Sequence, residues 1–186
     1  MVVGSVAAVS LEVLREHTAM PWANGGGTSH EIARFPASGD FDWRISLADV
    51  EADGPFSVMP GIDRILVLTA GTAVILSTDR EHRRIGELEP FAFPGETPFT
   101  CTLTSGPVRD LNVMTRRGRV SAEVTVVRTG AIEVPPRPAT TLAVVLSGTA
   151  AIGDVGLDAR DAVLLEGPHR LDVEGAVALI VLGPPS

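Results

Sequence analysis

The sequence predicts an all-β protein, a sandwich or barrel of many short strands with very little helix. Three observations predict it. Apolar residues recur at period two or in short β-branched runs, with no sustained 3.6-residue period against them. Each run is bounded by Gly, Pro, Asp or Ser, the residues that turn a chain. With 19 glycines and 14 prolines among 186 residues, roughly 18% against the usual ~12%, long helices have little room.

Taken along the chain, the predicted strands begin with Val9–Arg15 and Ser29–Phe35. In Phe41–Val50, the side chains of Phe41, Trp43, Ile45 and Leu47 share one face and form core. Asp42, Arg44 and Ser46 share the other face, which turns either to solvent or to a cavity. Ile62–Thr69 and Ala73–Ser77 flank a turn at Gly71. Phe99–Thr104 alternates Phe99, Cys101 and Leu103 on one side, which makes Cys101 a small buried hydrophobe rather than a reactive thiol. In Val108–Thr115, Asp110, Asn112 and Met114 alternate away from Leu111 and Val113, a mixed polar face unlike an ordinary exterior one. Glu123–Arg128, Thr141–Leu146, Ala162–Leu165 and Ala176–Leu182 complete the set.

A coarser regularity divides the chain. Ile65-Leu66-Val67-Leu68-Thr69-Ala70-Gly71-Thr72-Ala73 is echoed by Leu142-Ala143-Val144-Val145-Leu146-Ser147-Gly148-Thr149-Ala150, each reading as strand, Gly turn, strand. Two related β-units are expected, residues 1–120 and a smaller 121–186 packed on the first, with the boundary around 118–125. Pro135-Pro136-Arg137-Pro138 cannot pair inside a sheet and marks an edge, crossover or linker.

Composition removes several functions. All 15 basic residues are arginine, which excludes lysine Schiff bases and Walker-type phosphate loops. A net charge of −8, with no basic or aromatic stripe to offset it, argues against nucleic acid as a partner. The apolar run Ala176–Leu182 is far short of the ~20 residues that span a bilayer, and the first ten residues lack the basic and apolar regions of a signal peptide, so no membrane is expected. A lone cysteine without Cys-x-x-Cys spacing fits a reducing, cytoplasmic setting. His17, His30, His82 and His169 are scattered in polar settings and read as surface residues. No Ser-His-Asp order sits in a nucleophile turn.

The stretch Met20-Pro21-Trp22-Ala23-Asn24-Gly25-Gly26-Gly27-Thr28, followed by Glu31-Ile32, resembles the opening signature of the HutD/Ves family. Trp43-Arg44-Ile45-Ser46, Gly54-Pro55-Phe56-Ser57, Pro60-Gly61-Ile62-Asp63-Arg64 and Asp110-Leu111-Asn112-Val113-Met114 continue it in order, over about residues 9–117. The last third is similar only in a general cupin-like pattern, and Ala23 stands where the family usually has a basic residue. The resemblance implies a double-stranded β-helix, a two-unit cupin (bicupin) of the cytoplasm found with histidine-utilisation genes. It implies no particular reaction.

Metal-binding cupins carry Gly-x5-His-x-His-x3-4-Glu-x6-Gly, with a third His from a second motif, a set suited to a divalent transition ion. Counted back from Gly71, the Glu slot falls on Arg64, and the paired His slots fall on Val58 and Pro60 or on Ser57 and Met59. Counted from Gly95, the third His slot is Pro98; counted from Gly148, the Glu slot is Thr141. No metal and no other cofactor is expected.

A guanidinium where a cupin holds its cation reverses the sign of the site. Arg64 is read as the anchor of an anion-accepting pocket, its planar fork suited to a carboxylate, against the alternative of an internal ion pair with Asp49, Asp63 or Asp110. Arg44, Ser46 and Asn112 are candidate lining. Asn24 and the glycines after it form an anion-binding nest or merely bend the chain. Trp22 walls a pocket or packs beside that turn, and Glu31 is a base, an Arg partner or a solvated carboxylate. No catalytic residue is assigned. The expected function is binding of a small anionic metabolite, of histidine breakdown, by a regulatory or accessory protein. The alternative is a metal-independent isomerase or hydrolase with Glu31 or Asp110 as base and Arg64 stabilising an oxyanion. A homodimer through strand edges is compatible with either.

Overall fold

Antiparallel ladders make up the regular structure, and no helix occurs among the described residues. The computed structural model describes residues 11–15, 17–23, 25–134 and 140–185. Asn24 and the Pro135–Pro138 segment therefore lie outside the described residues, as do the first two positions of the strand expected at Val9–Arg15. The strands are β1 (Leu11–Leu14), β2 (Thr18–Pro21), β3 (Gly27–Phe35), β4 (Trp43–Val50), β5 (Gly54–Pro55), β6 (Ile62–Ala70), β7 (Ala73–Ser77) and β8 (His82–Gly86). They continue as β9 (Pro90–Pro94), β10 (Thr100–Leu103), β11 (Val108–Arg116), β12 (Ser121–Val134), β13 (Thr140–Ile152), β14 (Val155–Asp158), β15 (Ala162–Leu165) and β16 (His169–Gly183). Every strand expected from the sequence is present where the chain is described; β2, β5, β8, β9 and β14 are additional.

Three sheets stack. The middle one runs β2-β3-β4-β11-β6-β9, a four-stranded front sheet runs β5-β10-β7-β8, and the back sheet runs β1-β15-β13-β16-β12 with β14 paired to β13. The middle sheet is covered on both faces, which is why β6 reads as a continuous Ile-Leu-Val-Leu run. On one face Ile45, Leu47, Val67, Leu111 and Val113 pack against Leu142, Val144, Ala178 and Ile180 of the back sheet. On the other, Val50, Leu66 and Leu68 pack against Val74, Leu76, Ile85 and Phe99. Cys101 is buried in that second core, and burial together with Asp110 pushes its thiol up to about 12.

The back sheet curls on itself over a third core that includes Ala143, Val145, Leu157, Leu171 and Val173. Bulges between Arg128 and Gly130, and between Val145 and Ser147, bend its long strands. The expected turn at Gly148 is absent. β13 instead runs through it, because Gly148 pairs Gly175 and Ala151 pairs Asp172, so the ladder is never released. Gly148 holds φ +70°, and a Cβ there would lie 2.0 Å from the Glu174 carbonyl oxygen, so only glycine allows this approach. β1 closes one edge of the back sheet by pairing Leu11–Leu14 with β15, so residues early in the chain contribute to the sheet built by residues 121–183. No helix among the described residues is long and apolar enough to cross a membrane.

Candidate functional site

Register on the middle sheet sets side chains from distant parts of the chain into rows. Met114 pairs both Arg44 and Arg64; Asn112 pairs Ser46 and Leu66; Asp110 pairs Ala48 and Leu68. Alternation turns these residues to the front sheet, opposite the face of Ile45 and Leu47. A cavity of about 530 Å³ opens there, its polar lining made by Arg44, Arg64, Asp110 and Asn112 with Ser29 and Ser57. Met20, Trp22, Phe56, Met59 and Met114 supply most of its apolar wall.

Arg64 is 7% exposed, and no carboxylate lies within 4 Å of it among the described residues. The internal ion pair with Asp49, Asp63 or Asp110 is therefore not formed: Asp49 pairs with Arg109 at 2.6 Å and Asp63 with Arg117 at 2.6 Å. Arg64 is held by other means. Its Nη2 donates to Asn112 Oδ1 at 2.6 Å, its Nη1 donates to the Ser57 carbonyl at 3.4 Å, and its Cζ lies 5.1 Å from the ring centroids of both Phe56 and Phe93. Nε is buried and has no partner among the described residues. Burial lowers the pKa of the guanidinium and the field of Asp110 offsets part of this, but an arginine remains charged.

Asp110 is 3% exposed and accepts a hydrogen bond from Asn112 Nδ2. Burial pushes its carboxyl up to about 7, against the opposing influence of Arg64 and Asn112. Arg44 faces the same cavity but is already neutralised, its Nε donating to Glu31 Oε2 at 2.7 Å. Glu31 thus stands outside the lining as an arginine partner, and Met20 Sδ lies 3.9 Å from Arg44 Nη2. Ser46 also stands behind the lining, on the row of Asn112, with a buried Oγ that has no partner. Trp22 is part of the wall and packs as well: its Nε1 donates to Ser29 Oγ at 2.9 Å, and its ring covers Gly27, where a Cβ would sit 2.3 Å from the Asp49 carbonyl oxygen.

The structure therefore brings Arg64, Arg44, Asn112 and Trp22 to one cavity, with Ser46 and Glu31 supporting it. The contact of Arg64 with the Phe56 and Phe93 rings carried no sequence signal beyond Phe56 lying in a quoted motif. The histidines are a correction. Only His82 is exposed; His17 and His169 bury their Nε2 atoms without partners, and His30 lies 3.1 Å from Asp49. Polar neighbours in the chain did not report that His30 lies on β3 between β2 and β4, or that His169 pairs Val134 across the back sheet.

A divalent transition ion needs several imidazole or carboxylate donors that converge. The cavity offers one carboxylate beside a guanidinium, and no group of three or more His, Cys, Asp or Glu converges anywhere among the described residues. This donor set does not fit such an ion.

The HutD family model matches residues 14–181. Protein Ves of Cronobacter sakazakii is 41% identical over 107 residues, 56% of this chain and 59% of its own length. An uncharacterized 21.2 kDa protein in the hutC 3' region of Pseudomonas putida is 38% identical over 109 residues, 56% of this chain and 57% of its own length. The chain thus spans somewhat over half the length of these curated relatives. Among solved structures, HutD from Pseudomonas fluorescens SBW25, in a formate condition, superposes with a TM-score of 0.83 at 30% identity, covering 95% of this chain and 100% of that one. A conserved protein of unknown function from Pseudomonas aeruginosa PAO1 gives 0.81 at 29%, with the same coverages. A mutant of Bacillus subtilis oxalate decarboxylase gives 0.62 at 9% identity, covering 98% of this chain and 78% of that one, a likeness of fold alone. The architecture is cupin-like and all-β.

Proposed function

Because the chain belongs to the HutD family, we propose that it is a binding protein whose cavity receives one small carboxylate on Arg64, as a cytoplasmic regulatory or accessory component of histidine breakdown. The observation that carries this reading is a buried guanidinium on the cavity lining that has, among the described residues, no carboxylate within 4 Å and no partner for its Nε. An isolated buried charge costs several kcal/mol, which is offset when an anion arrives. Arg44 is satisfied by Glu31, so Arg64 is the lining cation with no carboxylate in contact among the described residues, and it suits one carboxylate group of a ligand. The apolar wall suits a ligand with a carbon body. The curated relative from the hutC 3' region favours the same setting.

A thermal-shift screen of urocanate, formate, formylglutamate and formiminoglutamate tests it, since a ligand at 100 times its Kd adds about 2.7 kcal/mol. At least one acid raises the melting temperature of the wild type and not of Arg64→Ala; no shift with any acid overturns the reading. One observation favours an enzyme instead: a buried carboxyl poised near neutrality, Asp110, shares the cavity with an oxyanion-stabilising arginine. In that case NMR shows turnover of one of these acids, lost in Asp110→Asn.

A further inference from the structure

We propose that the cavity admits its anion together with one proton, and that Asp110 takes the proton, so that the filled site holds a neutral carboxylic acid beside the Arg64 guanidinium. This rests on the anion reading above and adds what the cavity floor does when the charge arrives.

Three strands bring charged or titratable groups towards Asp110. On β6 there is Arg64, which reaches Asp110 only through the neutral amide of Asn112. On β4 there is Asp49, a further negative charge that is itself engaged by Arg109 and His30. On β10 there is the Cys101 thiol, which burial keeps protonated. The register partners Ala48 and Leu68 carry no charge. No arginine or histidine nitrogen lies within 4 Å of Asp110 among the described residues. When Asp110 is ionised, the floor therefore holds one cation against one carboxylate that do not touch, and both are desolvated.

An anion docking on Arg64 breaks that balance. Two negative charges would then share one guanidinium in a buried space, and two carboxylates in one site do not both stay ionised. Of the two, Asp110 is the one that protonates, since burial already holds it near neutrality. Glu31 cannot relieve the site, because it is locked to Arg44 at 2.7 Å. Proton uptake also turns Asp110 from an acceptor that repels a carboxylate into an O–H donor that can meet one.

Affinity then depends on pH in a defined way. Below about pH 6 the apparent Kd is flat; above about 7 it weakens tenfold per pH unit, giving roughly 90-fold between pH 6 and pH 9 when only the protonated site binds. The test uses formate, which is ionised throughout that range. Its Kd is measured by tryptophan fluorescence between pH 6 and 9 for the wild type and Asp110→Asn, and calorimetry at pH 8 in two buffers of different ionisation enthalpy counts the protons taken up. Expected are the roughly 90-fold weakening and close to one proton for the wild type, with neither in Asp110→Asn. Formate binding that is flat with pH and moves no proton overturns proton coupling and leaves the anion site standing. An equally steep profile in folded Asp110→Asn overturns the assignment to Asp110. Absence of formate binding at every pH overturns this proposal, whereas the anion reading falls only when urocanate, formylglutamate and formiminoglutamate also leave the melting temperature unchanged.

Discussion

Arg64 and Asp110 share one cavity without touching. A single amide joins them: Arg64 Nη2 donates to Asn112 Oδ1 at 2.6 Å, and Asn112 Nδ2 donates to Asp110 Oδ1. A direct ion pair would quench the guanidinium and leave nothing to attract a ligand. With Asn112 between them, the arginine is held in place by hydrogen bonds and by the rings of Phe56 and Phe93, while Nε is buried without a partner among the described residues. The arrangement costs folding energy, because two desolvated groups are left imperfectly matched.

That cost predicts a trade between stability and binding at Arg64. Methionine can pack against the rings of Phe56 and Phe93 without carrying a charge there. Arg64→Met is expected to lose about 100-fold in carboxylate affinity, yet to melt a few degrees higher than the wild type at pH 6, where Asp110 is mostly neutral. Differential scanning calorimetry alongside a ligand titration checks both halves. A variant that melts well below the wild type would mean that Arg64 is a structural group.

Glu31 predicts specificity through charge count. Its carboxylate neutralises Arg44, so one of the two guanidinium groups lining the cavity is free to attract an anion. Glu31→Gln releases the second. Dicarboxylates such as succinate should then bind roughly 5- to 10-fold tighter, about 1 kcal/mol, while formate changes little. Equal changes for both acids in parallel titrations would show that Arg44 does not act on the ligand.

Much of this was legible from alternation alone. Ile45 and Leu47 against Arg44 and Ser46, and Leu111 and Val113 against Asp110 and Asn112, gave the two faces of the middle sheet correctly. The additional strands escaped for local reasons. β8 carries His82, Arg83 and Arg84 on an exposed edge, β9 begins and ends in proline, and β5 is two residues long. The site was legible by residue but not by partner. Asn112 meets Arg64 across 48 positions, and Arg44 meets Glu31 beside a register shift in β3 that no period reveals. The same limit explains Gly148, whose motif reads as a turn until the β16 ladder continues past it.

Gly148 gives a prediction about the fold alone. A methyl group there meets the Glu174 carbonyl oxygen at 2.0 Å, from a backbone at φ +70°. Gly148→Ala must open the β13–β16 ladder at its bend, a loss of about 2–4 kcal/mol and a fall in melting temperature of roughly 5–15 °C. The cavity is built on the middle sheet, so formate affinity at 25 °C should be unaffected. A stable variant would mean that the two strands separate at the bend without cost.

The buried carboxylate makes stability itself depend on pH, independently of any ligand. In the folded protein Asp110 titrates near 7, raised from an ordinary 3.8 by burial, so between those values the folded state binds the proton that the unfolded chain has released. Its contribution to stability is therefore fully present below about pH 4, declines as pH rises towards 7, and is gone above that, with a slope of about 1.4 kcal/mol per pH unit inside the window. Asp110→Asn keeps the shape and cannot ionise. Urea unfolding of both proteins at pH 5, 6, 7 and 8 isolates this one group, because every other titration is common to the two curves. The wild type should lose ground to the variant by about 2–3 kcal/mol between pH 5 and pH 7, with little further change to pH 8. Parallel curves would place the folded-state titration of Asp110 near its ordinary value, and the cavity floor would then carry a permanent negative charge beside Arg64.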